Sequence, residues 1–582
     1  MIDESYQLIL VSAFLGLVSI ALLGLSRRLG APSLLLFLLV GMLAGEDGLG
    51  GLQFSDVETA FLVGNIALAV ILLDGGLRTH ISSFRVGLKP ALTLATLGVI
   101  ITSGTVGAAA AWVLGWPLQD GLLLGAIIGS TDAAAVFALL NAAGLQLKQR
   151  SSATLEIESG TNDPMAIFLT IALVTLLTSG DGSVDLHILG DFFRQMGLGA
   201  LMGIGGGWLL QQILNRIILP HVLYPLLVMS GGLTIFSLTN LWQGSGFLAI
   251  YLIGLVVANR PMNHIHEVRW LHDGLAWLSQ IGMFLLLGLL VSPSGLLDPK
   301  VAIPALAVSL TLMFFARPLA VFICLLPFRF PAREQFFISW VGLKGAVPII
   351  LALFPYLYGM EHKDTYFEIT FFVVLLSLCL QGWTIAPLAR SLGLEVPPKP
   401  EDIDHLGVTL PGQIGRELLA YRIHAGSPAD SYLLRRLPIP SGVKLLGVIR
   451  GDTVLPPEPD RLLQPDDYLV LMAQSHHSPD LVALFMALPT PAHLLGTAFF
   501  GQFTLRPEVL LDDLCKAYGV SLSDDLRRQS LSELINKHYH GKPVVGDRVN
   551  VGDIELVVKQ MAKGKLLQVG LKLPVVKQQA AS

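Results

Sequence analysis

Apolar runs about one bilayer thick recur along the first two thirds of the chain, separated by short polar or glycine- and proline-bearing segments. Crossing a bilayer takes about 20 apolar residues, with a range of roughly 17 to 25. That ruler predicts thirteen helices, at about 6–25, 31–44, 57–77, 90–114, 120–140, 155–178, 190–214, 220–238, 244–258, 271–292, 301–323, 333–356 and 366–389. Beyond residue 390 the pattern changes to short apolar stretches broken by turns. RELLAYRI (416–423), VKLLGVIRG (443–451) and DYLVLMA (467–473) read as strands and SYLLRRL (431–437) as helix-like; a helix at 507–517 and strands near 544–560 follow. The predicted fold is an all-α polytopic membrane domain followed by a small α+β tail of two domains. The expected boundaries are 1–390 for the membrane domain, 391–404 for a linker, and 405–486 and 487–582 for the tail domains.

Composition supports this division. The 582 residues are 53% hydrophobic and 14% charged, too apolar for an ordinary soluble protein of this size. Residues 1–390 hold 40 charged side chains and residues 391–582 hold 41, so charge density roughly doubles where the Pro-rich EVPPKP (395–400) stands. Three widely spaced cysteines, Cys324, Cys379 and Cys515, form neither a disulfide framework nor a metal-ligand pattern. The net charge of -5 points to no nucleic-acid partner. The first apolar run opens on Asp3 and Glu4 and ends in Arg27 and Arg28, which reads as a spanning helix and not as a removed signal peptide.

The basic residues orient the domain, because cytoplasmic loops are enriched in Lys and Arg. With the tail cytoplasmic, an odd helix count puts the N-terminus outside. The inner loops then collect Arg78, Arg85, Lys89, Lys148, Arg150, Arg216, Arg260 and others, against Arg194, Lys300 and Lys363 outside. Arg317 and Lys344 fall within predicted spans, with Asp74, Asp132, Glu158 and Asp163. Ionisable groups at bilayer depth are costly and usually line a polar pathway.

Two spans carry helix-breaking residues at their centres, GSTDAAA (129–135) and GLKGAVP (342–348). If helices one to six and eight to thirteen are two halves, these breaks hold corresponding positions. That is the sequence signature of inverted repeats with unwound crossing helices around a transport site. Asp132 in one break and Lys344 in the other are placed to neutralise half-helix ends. In the neighbouring span, Glu158, Ser159, Asn162 and Asp163 fall within about 140° of one helix face. Glu156 points to the opposite side. Asp163, Ser159 and Asn162 offer oxygen ligands suited to a hard monovalent cation, where a divalent site would gather more carboxylates.

The motifs GSTDAAAV (129–136), ESGTNDPMA (158–166), LLDGGL (72–77) and GLKGAVP (342–348) resemble those of NhaP-type monovalent cation:proton antiporters, within the sodium/proton exchanger superfamily. The resemblance spans roughly residues 5–390. It implies a homodimer in a bacterial inner membrane, with a six-helix core that moves to carry the ion. Asp163 then matches the carboxylate that binds cation and proton in turn, with Ser159 and Thr131 as further oxygen ligands. Asp132 matches the acid of the helix crossing, and Asp74 an acidic position near the ion pathway. Glu158 matches a structural acid paired with a later base, here Arg317 or Lys344. Lys344 stands where many relatives have Arg. Asn162 before Asp163 resembles the electroneutral branch, which implies one-for-one exchange.

In the tail, LQPDDYLVLM (463–472) resembles the C-terminal half of regulatory domains of potassium channels and uptake systems, and residues 493–575 resemble CorC-type transporter-associated domains. Such a tail would sense a small ligand, or else only stabilise the dimer. It tilts the cation toward K+ over Na+. His476, His477, His538 and His540 read as solvated loop residues and not as metal ligands, and no cofactor is implied. A ligand-gated potassium channel is the rival reading, but the chain has no TVGYG-like filter. A membrane enzyme is a third, without a nucleophile and base at recognisable spacing.

Overall fold

The computed structural model describes residues 2–29, 32–179, 187–260, 264–397, 405–409, 416–425, 427, 429–439, 442–474, 481, 484–485, 494, 496–518, 527–552, 554–562 and 564–573. They divide into two compact units, Met1–Glu395 and Val396–Ser582, each considered by itself.

The first unit is helical. Its main helices are Ile2–Leu29, Ser33–Ala44, Val57–Arg78, Ile81–Thr93 running through a π-helical turn into Val99–Leu114, Leu118–Ile127, Ala133–Ala142, Gln149–Ser179 and His187–Arg216. Leu223–Leu241, Gly246–Ala258, Ile265–Leu289, Pro299–Thr311 running through a second π-helical turn into Arg317–Leu325, Ala332–Trp340, Val347–Leu351 and Lys363–Ser391 follow. Among the described residues, six helices are long and apolar enough to cross a membrane, and shorter apolar helices such as Leu118–Ile127 and Gly246–Ala258 accompany them. Leu62, Ile66, Trp112, Phe314 and Phe315 stay exposed on these helices, an arrangement suited to lipid and not to water. This is a multi-pass membrane unit.

Local chemistry sets the helix starts. Asp56 caps Val57–Arg78 by accepting from Thr59 N at 3.0 Å, and Ser245 caps Gly246–Ala258 by accepting from Leu248 N at 3.3 Å. These two helices then pack closely at glycines. A β-carbon at Gly76 would run into the Tyr251 carbonyl, and one at Gly254 into that of Leu73. Small residues at such contacts let membrane helices approach without a hydrophobic driving force between them.

Several helices start earlier than the hydropathy pattern predicts, among them two with a proline inside. The helix expected from about residue 90 begins at Ile81 and carries Pro90 inside. Membrane helices absorb proline because neighbouring turns re-satisfy the freed carbonyls, and here the π-helical turn Leu94–Gly98 follows within one turn. The second π-helical turn, Leu312–Ala316, ends immediately before Arg317. The helix expected from about 155 begins at Gln149 and includes Pro164. This earlier start draws Arg150, assigned above to a loop, into the helix, where it is buried beside Glu334. A partner 184 residues away offsets the desolvation that made a loop the natural choice. After Lys363–Ser391 the chain turns back, and Lys148 N donates to the Leu394 carbonyl at 3.1 Å.

The second unit contains two antiparallel sheets among the described residues. The first runs in the order His405–Thr409, Arg416–Arg422, Tyr468–Gln474, Lys444–Arg450, Thr453–Leu455 and buries Leu419, Tyr421, Val448, Leu469 and Leu471. The second has the order Phe503–Leu505, Lys565–Lys572, Ile554–Ala562, Arg548–Val551, with Leu511–Tyr518 and Leu531–His538 contributing Leu511, Leu514, Leu531 and Ile535 to its core. Ser530 and Glu533 form a capping box on Leu531–His538. The stretch expected to be helix-like at 431–437 holds only the 3-10 turn Leu434–Arg436. Pro438 disfavours helical geometry at the residue before it, and Leu437 is extended at φ -63°, ψ 127°. Burial alone would raise the carboxyl of Asp467. Hydrogen bonds from Arg450 Nε at 2.7 Å and Gln464 N at 2.9 Å nevertheless hold it below its ordinary value.

Candidate ion-binding site

Two helix interruptions define the site. Leu118–Ile127 and Ala133–Ala142 are separated by residues without helical geometry, as are Ala332–Trp340 and Val347–Leu351. Each interruption frees main-chain groups that must find partners in a medium without water. They find them in each other. Asp132 N donates to the Leu343 carbonyl at 2.8 Å, joining the two directly.

The side chains complete the exchange. Asp132 caps Ala133–Ala142 by accepting from Ala135 N at 3.1 Å, which places a negative group at the positive end of that helix. Lys344 comes from the opposite interruption and is buried. Its Nζ donates to the Ser130 carbonyl at 2.6 Å and the Gly129 carbonyl at 3.4 Å, just past the negative end of Leu118–Ile127. Lys344 N donates to Ser377 Oγ at 3.0 Å, Ser377 donates to Gln381 Oε1 at 2.5 Å, and Gln381 Nε2 donates to the Trp340 carbonyl at 2.8 Å. Gly345 lies against the Asp132 carboxylate, in space that a β-carbon would need.

The Gln149–Ser179 helix passes beside the first interruption. Ser159 Oγ donates to the Thr131 carbonyl and accepts from Ala133 N, both at 3.0 Å, so one hydroxyl bridges the non-helical turn. Asn162 Nδ2 donates to Thr131 Oγ1 at 2.5 Å. Asp163 is buried and faces Asp132, Lys344 and the Ser130 hydroxyl. Its Oδ1 has no hydrogen-bond partner, and neither has Asn162 Oδ1. Unmade bonds on two buried acceptors in one region are costly in an apolar medium unless something occupies them.

Glu158, one turn earlier, is compensated. Arg317 Nη1 stands 2.6 Å from Glu158 Oε1, an ion pair by distance without hydrogen-bond alignment. The Arg317 side chain also lies against Gly342 of the second interruption. Of the two bases weighed for Glu158, Arg317 makes the pair, and Lys344 bonds to carbonyls. Near the start of the same helix Arg150 donates to Glu334 through Nε at 3.0 Å and Nη2 at 2.8 Å, and Ser151 adds a bond at 2.9 Å.

Asp163, Asn162, Ser159, Thr131 and Asp132 thus come together, with Glu158, Arg317 and Lys344 around them. Asp74 stands apart. Its carboxylate accepts from Arg78 Nε at 2.7 Å, and Arg78 also reaches Asp273. Sequence reading missed Ser130, although it lies in the quoted GSTDAAA motif. It missed the Arg150–Glu334 pair as well, whose partners carry no local signal. Among the described residues, a group with metal-ligand potential occurs at His221, His264 and Glu267. His476 and His477 lie outside the described residues.

Comparison with known proteins follows the same division of the chain. The family model described as sodium/hydrogen exchanger, transmembrane, matches residues 13–391, a TrkA-C domain matches 418–486, and a transporter associated domain matches 497–575. The chain is 45% identical to a protein of Shewanella sp. (strain MR-4) named K(+)/H(+) antiporter NhaP2, over 98% of this chain and 99% of that one. It is 43% identical to the K(+)/H(+) antiporter NhaP of Alkalimonas amylolytica, over 97% and 98% of the two chains. The solved structure of the sodium proton antiporter MjNhaP1 from Methanocaldococcus jannaschii at pH 8 superposes with a TM-score of 0.58 at 25% identity, covering 66% of this chain and 99% of that one.

Proposed function

Since this chain belongs to the sodium/hydrogen exchanger family, we propose that it is a secondary antiporter exchanging cytoplasmic K+ for external H+ one for one, with Asp163 as the alternating site. The unpartnered Asp163 Oδ1, buried beside the paired interruptions, is the observation that carries this reading. The names of the full-length relatives favour K+.

Charge accounting supplies the coupling. Asp132 and Lys344 are opposite charges on the joined interruptions, and Glu158 is offset by Arg317. Asp163, whose Oδ1 is unbonded while Lys344 lies near enough to act on its charge, is the carboxylate this reading assigns to the exchanged ions. A bare charge does not cross a bilayer readily. The core therefore crosses when Asp163 holds either a proton or a cation, and two forms that exclude each other give obligatory exchange. Asp163 Oδ1 and Asn162 Oδ1 are the free acceptors for a dehydrated cation. Ser159 and Thr131, each accepting one hydrogen bond, are further oxygen ligands in this reading, while Asp132 and Lys344 hold the surrounding shape. Asp74 sits on the approach.

In this reading the chain crosses the membrane thirteen times through inverted repeats with two unwound crossing helices. The N-terminus faces outward and the tail lies in the cytoplasm. It works as a homodimer in the bacterial inner membrane. The TrkA-C and transporter-associated domains bind a small regulatory ligand and set the transport rate.

Proteoliposomes with an internal pH indicator provide the test. K+ pulses should release or take up protons in the wild type, at a rate unaffected by an imposed membrane potential, and Asp163→Asn should be silent. A stronger response to Na+ would transfer the assignment to a sodium-selective exchanger. Cation flux without proton movement, in wild type and variant alike, would sink antiport and leave a channel.

A further inference from the structure

Away from the candidate ion site, the loop between His187–Arg216 and Leu223–Leu241 brings His221 against His264, the residue preceding Ile265–Leu289. Their Nδ1 atoms are 3.0 Å apart, and His264 Nδ1 lies 3.2 Å from Glu267 Oε1. One ligand atom from each residue lies within 4.8 Å of the other two. Tetrahedral zinc with bonds of about 2.0–2.2 Å sets its ligand atoms about 3.3–3.5 Å apart. Two of the three edges here are within a few tenths of an ångström of that spacing.

Supporting contacts hold the cluster in place. Tyr224 stacks on the His264 ring at 4.5 Å between centroids and 26° between planes. Its hydroxyl donates to the Ile217 carbonyl at 3.1 Å and accepts from Leu219 N at 3.3 Å. One buried tyrosine therefore orients the ring of His264 and ties down the backbone of the loop that carries His221. His264 holds a left-handed backbone with φ of 65°, which residues with a β-carbon seldom adopt. Such strain survives where surrounding structure over-determines it, often at binding sites. The His264 side chain is 16% exposed and that of Glu267 36%, and His221 is exposed, which leaves an open side for a water ligand.

We propose that His221, His264 and Glu267 bind a divalent transition-metal ion of the zinc class. Imidazole nitrogens suit zinc, copper and nickel, whereas alkali cations take oxygen, so this site is chemically separate from that of the transported ion. The ion clips the loop after His187–Arg216 to the start of Ile265–Leu289, joining helix hairpins that the sequence keeps 43 residues apart.

The test uses the full chain, purified without a histidine tag and stripped of metal, and titrated with Co2+ and then Zn2+. The expected result is one Co2+ per chain with the visible absorption of a four-coordinate nitrogen and oxygen site, displaced by Zn2+. Affinity should fall more than about tenfold in His221→Ala and in Glu267→Gln. Zn2+ should raise the melting temperature of the wild type and leave that of His221→Ala unchanged. Because His221 is exposed, its replacement tests binding and not folding. A control with His538→Ala and His540→Ala should titrate like the wild type. The proposal is overturned if no Co2+ binds, if bound Co2+ is insensitive to His221→Ala and Glu267→Gln, or if the control loses it.

Discussion

Two regions of the Gln149–Ser179 helix treat buried charge in opposite ways. At its start Arg150 and Glu334 form a two-pronged pair reinforced by Ser151, with the carboxylate accepting three hydrogen bonds. Thirteen residues on, Asp163 is as well buried, yet one of its oxygens has no partner. Glu158 lies between them in sequence, ion-paired with Arg317 by distance while both of its oxygens and two of that guanidinium's nitrogens make no hydrogen bond. Buried pairs resist being broken because the remaining charge is stranded. A buried carboxylate without a full set of partners is suited instead to gaining and losing one. In the proposed cycle, a single helix therefore carries both groups that hold the fold and the group that would react.

The sharpest way to break this contrast is Asp163→Asn. Exchange should fall to background in proteoliposomes while the melting temperature stays at or above that of the wild type, since no stabilising pair is lost. A large loss of stability would return Asp163 to the structural class. Next comes Arg150→Ala, which strands Glu334 and should cost about 3–5 kcal/mol, read as thermal unfolding in detergent. Arg317→Ala should cost less, because its guanidinium is only partly bonded. Equal losses would erase the gradient. A smaller effect is expected from Ser159→Ala, which leaves Ala133 N without its acceptor and should cost about 1–3 kcal/mol, seen as faster hydrogen exchange across 131–135.

The tail supplies the mildest comparison, a pair near water. Asp467 is held below the ordinary carboxylate value of about 3.9. A depressed value means its contribution is complete above that pH and lost as pH falls through the native one. Protection of the Tyr468–Gln474 strand of the full chain, taken relative to the intrinsic exchange rate at each pH, should therefore fall on acidification below about pH 4. Asp467→Asn should remove that acid dependence.

The division into an apolar helical unit and a sheet-bearing tail was legible because burial in lipid and burial in a sheet demand different periods and lengths of apolar residues. The interruptions were legible because Gly129, Gly342, Gly345 and Pro348 are poor choices within a lipid-facing helix. Partner choice was not. Lys344 looked equivalent to Arg317 as a base for Glu158, and only the fold shows that its Nζ reaches the carbonyls of Gly129 and Ser130, more than two hundred residues earlier. Glu334 carries no signal in the sequence beyond its place in the first turn of Ala332–Trp340, and only the fold brings Arg150 beside it. Ion pairs between distant segments carry no periodic signal. The helix-like reading of 431–437 failed for a local reason, underweighting what Pro438 does to the residue before it.

The hydrogen bond from Asp132 N to the Leu343 carbonyl has a thermodynamic consequence for the proposed cycle. In the proposed cycle, interruptions fastened to each other would travel as one unit and carry the oxygens around Asp163 with them to either face. The direction of net exchange in such a carrier follows the two concentration ratios, and inverting the pH difference should run the protein in reverse.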